Sequence, residues 1–206
     1  MKTAVLVSGG GTNMQAIFDA IDEKKITNCE ISAVVSSKHE VYALKRAENR
    51  GIKTFVVNRK EFDDTNLFSN SILSILKELG VELIVLAGFL SVLSPDFINS
   101  YKNKIINVHP ALIPSFCGKG YYGMKVHNAV IEYGVKLTGA TVHFVNEEVD
   151  GGPIIIQKAV PVLDNDTPES LQKRVLEQAE WQALTETVNL ICNDRIQIKG
   201  RKVQII

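Results

Sequence analysis

The chain has 206 residues, of which 45% are hydrophobic and 22% are charged, a balance that is ordinary for a globular domain. Basic and acidic residues number 23 each, so no bulk charge attracts nucleic acid or an acidic membrane surface. The three cysteines are scattered without a C-x-x-C pair, and the first residues contain too short an apolar run for a signal peptide or a membrane span, so we expect a cytoplasmic location.

Short apolar segments alternate with amphipathic segments through the first part of the chain. Apolar composition predicts strands at residues 3–8, 30–37, 52–58, 81–88 and from residue 105 onward. Helical spacing predicts helices at residues 13–25, 40–51, 67–80 and 94–102, the last with Ser94 as its cap and Pro95 at its first position. This alternation is typical of a parallel sheet covered by helices on both faces.

The pattern changes after Gly134. Residues 137–163 read as two antiparallel strands around a Gly-Gly turn, residues 168–194 as one long amphipathic helix, and residues 196–206 as a terminal hairpin. We find no repeat or linker, so we predict one α/β domain over residues 1–206, with a mostly parallel, Rossmann-like twisted sheet and late antiparallel strands.

The segment "INVHPALIPSF" raises the first functional question. Asn107 and His109 share one face of the predicted strand because strand side chains alternate with a period of two. Pro110 and Pro114 cannot continue a central strand, so the polar pair must lie at its end. An amide beside an imidazole there is either a hydrogen-bonded structural corner or part of an active site, and a lone histidine is more often structural.

The loop "SGGGTN" (residues 8–13) lies between the first predicted strand and helix, where backbone N–H groups and the helix dipole favour an anion. A dinucleotide fingerprint requires glycine where Met14 stands, and no triphosphate P-loop motif is present. The remaining interpretations are a phosphomonoester or small anion held by Gly11, Thr12 and Asn13, or a tight turn capped by Thr12 or Asn13.

Other chemistry finds little support in the sequence. Asp150 precedes two glycines, where aspartate is a favoured turn residue. His39, His127 and His143 lack the spacing of metal ligands, so we expect no metal. There is no G-x-S-x-G elbow and no base beside Cys117 in the sequence, so covalent catalysis is not predicted.

Taken together, these features resemble a known family. The segments involved are "SGGGTN", "LAGFLSVLSP", "NVHPALIPSF", "KLTGATVHFV" and "EEVDGGPIIIQ". In this order and spacing they resemble the phosphoribosylglycinamide formyltransferases of purine synthesis, over residues 3–190. Methionyl-tRNA formyltransferases and formyltetrahydrofolate deformylases share this core but carry an extra domain, for which we expect this chain to have no room.

The resemblance implies a loop at residues 115–129 and roles for particular residues. By position, Asn107, His109 and Asp150 match the family's catalytic asparagine, histidine and aspartate. The phosphate-binding loop corresponds to Gly11, Thr12 and Asn13, and the folate-binding residues to Leu90, Ser91, Val92, Leu93 and Asn107. Family members commonly have Glu-His in the last long helix, where the glutamate contacts the ribose hydroxyls. Here Glu180 is followed by Trp181 and lies one step out of that register.

The resemblance also implies the reaction. The formyl group of 10-formyltetrahydrofolate, a co-substrate, passes to the amine of 5'-phosphoribosylglycinamide without a metal, with Asn107 and His109 stabilising the oxyanion and Asp150 supporting His109. We expect only small-molecule partners, no nucleic acid or membrane, and a monomer or homodimer. Two alternatives stay open, a formyltetrahydrofolate hydrolase and a non-catalytic module that binds a sugar phosphate.

Overall fold

A computed structural model describes residues 1–206. Its strands are β1 (Lys2–Val7), β2 (Glu30–Ser36), β3 (Thr54–Val56), β4 (Leu83–Leu86), β5 (Ile105–His109), β6 (Leu137–Phe144), β7 (Ile154–Pro161), β8 (Ile196–Lys199) and β9 (Lys202–Ile205). Its helices are α1 (Thr12–Asp22), α2 (Tyr42–Glu48), α3 (Thr65–Glu78), α4 (Pro95–Ser100), α5 (Met124–Tyr133), α6 (Pro168–Val175) and α7 (Trp181–Cys192). None of these helices is long and apolar enough to cross a membrane.

All nine strands form one sheet in the order β3-β2-β1-β4-β5-β6-β7-β9-β8. The neighbours from β3 to β5 are parallel, whereas β5 with β6, β6 with β7 and β8 with β9 are antiparallel. The predicted fold class, a mostly parallel sheet followed by late antiparallel strands, is therefore confirmed.

The sheet separates two apolar layers. On β1, Val5 and Val7 join the layer that contains residues of α1 and α7, whereas Ala4 and Leu6 join the layer that contains residues of α3 and α4. This alternation follows from the period of two along a strand, and it explains why β1 is apolar on both faces. Helices cover both faces of the sheet, as the sequence predicted.

Two elements differ from the prediction. Residues 124–133 form helix α5, whereas the sequence analysis assigned residues up to 129 to a loop. Its buried face is short, with Val126, His127 and Val130, and the glycine-rich segment before it hides that pattern. The long C-terminal helix is present, but residues Leu176–Glu180 form a π turn between α6 and α7.

The strand order reverses beside β1, which pairs with β2 on one side and with β4 on the other. In open α/β sheets, ligands bind at the carboxyl ends of the strands next to such a reversal. The loops after β1, β4 and β5 therefore lie where a site is expected.

Candidate active site

The loops at this edge of the sheet are joined by hydrogen bonds. Ser8, after β1, accepts a hydrogen bond from the backbone N–H of Leu90, after β4, at 2.9 Å. Its hydroxyl also lies 2.6 Å from that of Ser37, after β2. The glycine loop and the segment after β4 are consequently coupled, although they are far apart in the sequence.

Asp150 lies between the two polar residues of β5. Its Oδ2 is 3.5 Å from Nδ1 of His109, and its Oδ1 is 3.5 Å from Nδ2 of Asn107. The side chains of His109 and Asp150 are 5% and 8% exposed. The structure thus brings together the three residues to which the resemblance assigned catalysis, in a largely dehydrated cluster where charges interact strongly.

His143 is a further member of this cluster, which the sequence analysis set aside. It lies opposite Asn107 in the β5–β6 ladder, and its Nε2 is 3.2 Å from Nδ2 of Asn107. Its Nδ1–H donates to the carbonyl of Phe144 at 2.9 Å, so Nε2 is the ring nitrogen that faces both the Asn107 amide and, at 3.6 Å, Oδ1 of Asp150. His143 therefore orients the Asn107 side chain. The signal was the alternation in "TVHFV", but its use required the register of β5 against β6.

The loop after β5 supplies two more contacts. Nε2–H of His109 donates to the carbonyl of Phe116 at 2.8 Å, and the backbone N–H of Gly118 donates to Oδ2 of Asp150 at 2.9 Å. Both ring nitrogens of His109 therefore face acceptors, Phe116 at Nε2 and Asp150 at Nδ1. This geometry suits a ring that can carry two protons.

The protonation of His109 is set by opposing effects. Burial lowers the pKa of His109 below its usual value. The Asp150 charge and the hydrogen bond to the Phe116 carbonyl raise this pKa, but they do not fully offset the effect of burial. For Asp150, burial acts to raise the pKa, but the hydrogen bond with His143, the His109 charge and the Gly118 N–H lower it overall. Asp150 is thus ionised at neutral pH beside a histidine that can give or take a proton.

The glycine loop leaves the start of α1 open. Gly11 precedes the helix with φ 73°, and neither Thr12 nor Asn13 caps it, so the alternative of a side-chain-capped turn is not observed. The N–H groups of the first helical residues have no hydrogen-bond partner in the chain, and a Cβ added at Gly9 or Gly10 would meet no atom within 4 Å. The loop therefore offers backbone donors facing open space, an arrangement that favours an anion.

Gly11 itself has a structural reason for being glycine. A Cβ there would lie 2.7 Å from Cβ of Ala43 in α2, and its φ is one that other residues rarely adopt. A bulky residue at Gly11 would therefore push α1 away from α2. Gly10, in contrast, has free space on its surface side.

Glu180, at the end of the π turn between α6 and α7, contacts the helix start that follows the glycine loop. Its Oε2 accepts a hydrogen bond from Nδ2 of Asn13 at 2.7 Å, and the residue is 7% exposed. Glu180 ends the π turn Leu176–Glu180, and a π turn contains one residue more than the corresponding α-helical turn. Burial raises the pKa of Glu180 to about 7, only partly offset by the Asn13 hydrogen bond.

The segment after β4 is mixed in character. Leu90 and Val92 are 54% and 66% exposed, which leaves both side chains free to contact a ligand. Ser91 is partly exposed. Leu93 is buried in the apolar layer beneath α3 and α4, so only its backbone can contribute to a ligand site. No cluster of three or more histidine, cysteine, aspartate or glutamate side chains that could hold a metal ion occurs in the structure.

Comparisons with known proteins agree with this geometry. The model of the formyl transferase family matches residues 1–188. A phosphoribosylglycinamide formyltransferase of Haemophilus influenzae is 39% identical over 198 residues, which cover 96% of this chain and 90% of that protein. The structure of glycinamide ribonucleotide transformylase 1 from Symbiobacterium toebii matches with a TM-score of 0.93 and 36% identity, over 100% of this chain and 94% of that one.

A longer relative contains a similar segment. The trifunctional purine biosynthetic protein adenosine-3 of Gallus gallus is 43% identical over 198 residues, which cover 96% of this chain. The chain spans 19% of the length of that protein.

Proposed function

The chain belongs to the formyl transferase family, and from this membership we propose that it transfers the formyl group of 10-formyltetrahydrofolate to the amine of 5'-phosphoribosylglycinamide in purine biosynthesis. Two features at the carboxyl ends of the strands carry the proposal. The first is the cluster of Asn107, His109 and Asp150 at the end of β5, and the second is the glycine loop after β1, which has open backbone donors and whose Asn13 bonds Glu180. A formyl transfer to a ribotide needs both parts.

The cluster supplies the chemistry. The amine attacks the formyl carbon, and negative charge develops on the formyl oxygen. The amide of Asn107, whose Nδ2 lies 3.2 Å from Nε2 of His143, and the positive charge of the protonated His109 ring stabilise that charge. A preorganised donor of this kind contributes roughly 10²–10³ in rate. Asp150 stabilises the imidazolium and helps to remove the proton that the amine loses.

The glycine loop supplies the binding energy. The phosphate of the ribotide accepts hydrogen bonds from the free N–H groups of Thr12 and Asn13, where the helix dipole also favours a dianion. The carboxylate of Glu180 accepts hydrogen bonds from the ribose hydroxyls. The folate ring packs on the exposed side chains of Leu90 and Val92. Binding the remote phosphate and ribose orients the amine for attack.

Each of the two alternative functions requires only one of these two features. A hydrolase that passes the formyl group to water would need the cluster but neither the open glycine loop nor Glu180. A module that only binds a sugar phosphate would need the loop but not the buried contacts among Asn107, His109 and Asp150. The presence of both parts at one edge of the sheet favours the transferase.

One assay separates the three functions. The protein is incubated with 10-formyltetrahydrofolate alone, with 5'-phosphoribosylglycinamide, or with the dephosphorylated riboside, and the product folate is followed by absorbance. We expect product formation only with the ribotide, and a much lower kcat/KM for the riboside. Equal rates with and without the ribotide would indicate a hydrolase. Ribotide binding without any turnover would indicate a binding module.

We propose a cytoplasmic location for this reaction, because all three cysteines are free thiols in the structure. The active cleft lies within a single chain, so either a monomer or a homodimer would carry complete sites. Light scattering of the purified protein, combined with activity measured over a range of protein concentrations, distinguishes these two states.

A further inference from the structure

A row of three polar side chains crosses the sheet beside the catalytic cluster. Thr141 on β6 lies opposite His109 on β5, and Gln157 on β7 lies opposite Thr141. Directly opposite residues in antiparallel strands project from the same face of the sheet. The row therefore runs from His109 across β6 to β7, and neither Thr141 nor Gln157 has a role in the chemistry described so far.

Thr141 and Gln157 hold the turn that follows His109. The Thr141 hydroxyl donates to the carbonyl of Ala111 at 2.7 Å and accepts from the backbone N–H of Ile113 at 3.1 Å. Nε2 of Gln157 donates to the same hydroxyl and to the carbonyl of Ile113, both at 3.0 Å. A hydroxyl has one donor and two acceptor positions, so that of Thr141, which is fully buried, is fully used.

This turn carries the group that orients the catalytic imidazole. Three residues beyond Ile113, the carbonyl of Phe116 accepts the hydrogen bond from Nε2 of His109 at 2.8 Å. With Nε2 fixed in this way, Nδ1 faces Asp150. We propose that Thr141 and Gln157 are positioning residues, which hold the His109 ring in its productive orientation by anchoring residues 111–113 of the turn. The proposal rests on the transferase function for its kinetic effect.

The charged and titratable groups around His109 come from other elements. Asp150 lies in the loop after β6, His143 on β6, and His127 on α5. Burial lowers the pKa of His127 to about 4, so it remains neutral. Without the hydrogen bonds from Thr141 and Gln157, these groups stay in place but the Phe116 carbonyl moves away from Nε2 of His109. The hydrogen bond to that carbonyl favours the protonated form of His109. The expected direction is therefore a further lowering of the pKa of His109.

The test compares two substitutions at one buried position. Thr141→Val removes the hydroxyl and keeps the shape, whereas Thr141→Ser keeps the hydroxyl. We expect Thr141→Val to lower kcat about 10- to 100-fold, the range for a misplaced reacting group, with the KM for the ribotide unchanged. In a plot of kcat against pH, the limb that reports the titration of His109 should move to lower pH. Thr141→Ser should have the kcat of wild type and the same limb position as wild type.

Gln157 provides an independent test at an exposed position. Gln157→Ala should lower kcat about fivefold, the equivalent of one ordinary hydrogen bond, and move the same limb. The matched control is Gln197→Ala on β8, an exposed strand glutamine whose side chain makes no hydrogen bond within the chain. If a folded Gln157→Ala protein has the kcat of wild type and its His109 limb at the same pH, the proposal is overturned. This variant alone decides the question if Thr141→Val does not fold.

A second measurement separates this proposal from the proposed function. The imidazole nitrogens of His109 are titrated by NMR in the free protein, with His109→Ala used to assign their signals. We expect a lower midpoint in Thr141→Val and Gln157→Ala, and the wild-type midpoint in Gln197→Ala. An unchanged midpoint in both variants overturns the positioning role even if formyl transfer is observed. A shifted midpoint supports the role even if no transfer occurs.

Discussion

Replacing Glu180 by glutamine should remove a pH dependence that this buried carboxyl imposes on folding. Glu180 is 7% exposed, and its only hydrogen-bond partner is the uncharged amide of Asn13. Burial raises its pKa from 4.5 to about 7. Because the folded chain holds this proton more strongly than the unfolded chain, the stabilisation is fully present below pH 4.5 and is lost as the pH rises through about 7.

The magnitude follows from the interval between the two values. At about 1.4 kcal/mol for each pH unit, the change amounts to about 3 kcal/mol. This is a large fraction of the stability of an ordinary domain. Glutamine keeps the acceptor for Asn13 and does not titrate, so the contribution of all other groups cancels when the two proteins are compared.

The assay is urea unfolding of wild type and Glu180→Gln at a series of pH values from about 4.5 to about 8. The free energy of unfolding of wild type, minus that of the variant, should fall by about 3 kcal/mol across this range. Equal m-values in both proteins serve as the control that the unfolded states are comparable. If the two proteins show parallel pH profiles, Glu180 does not titrate in this window and burial does not raise its pKa.

The remaining predictions concern the catalytic cluster and the glycine loop. His109→Ala should lower turnover by about 10²–10⁴ in a folded protein, and wild-type turnover would refute its role. Asp150→Asn should lower turnover more than substrate binding and move the His109 limb of the pH–rate profile to lower pH, since it removes the charge that favours the imidazolium. Gly10→Val should abolish ribotide affinity at wild-type thermal stability, whereas Gly11→Val should lose stability as well, because its Cβ would clash with Ala43. Unchanged ribotide affinity in Gly10→Val would place the phosphate elsewhere.

The sequence predicts the pair Asn107 and His109 at the end of β5, because the pattern that indicates it lies within a few neighbouring residues. Asn107 and His109 are separated by one residue, and Pro110 ends the strand, so their shared face and their position at the sheet edge follow from the period of two. The contact with Asp150 cannot be derived in this way. It depends on the loop between β6 and β7 and on a register that no short pattern encodes.

Two other features depend on long-range packing. The π turn before Trp181 brings Glu180 to Asn13, yet nothing in "LEQAE" distinguishes it from an ordinary helix, because the extra residue is accommodated by packing on both sides. The sequence alone leaves two interpretations of the start of α1, a side-chain cap by Thr12 or Asn13 and a site for an anion. In the structure, the Asn13 side chain binds Glu180 instead, so the helix start remains available to a ligand.

The fate of the formyl carbon distinguishes transfer to the ribotide from hydrolysis. The protein is mixed with 10-formyltetrahydrofolate carrying carbon-13 in the formyl group and with 5'-phosphoribosylglycinamide, and the label is followed by NMR. We expect the label to appear in an N-formyl amide of the ribotide, at a rate equal to the loss of formyl-folate, and no label to move when the ribotide is left out. Appearance of the label as free formate, at the same rate with or without the ribotide, would contradict transfer to the ribotide.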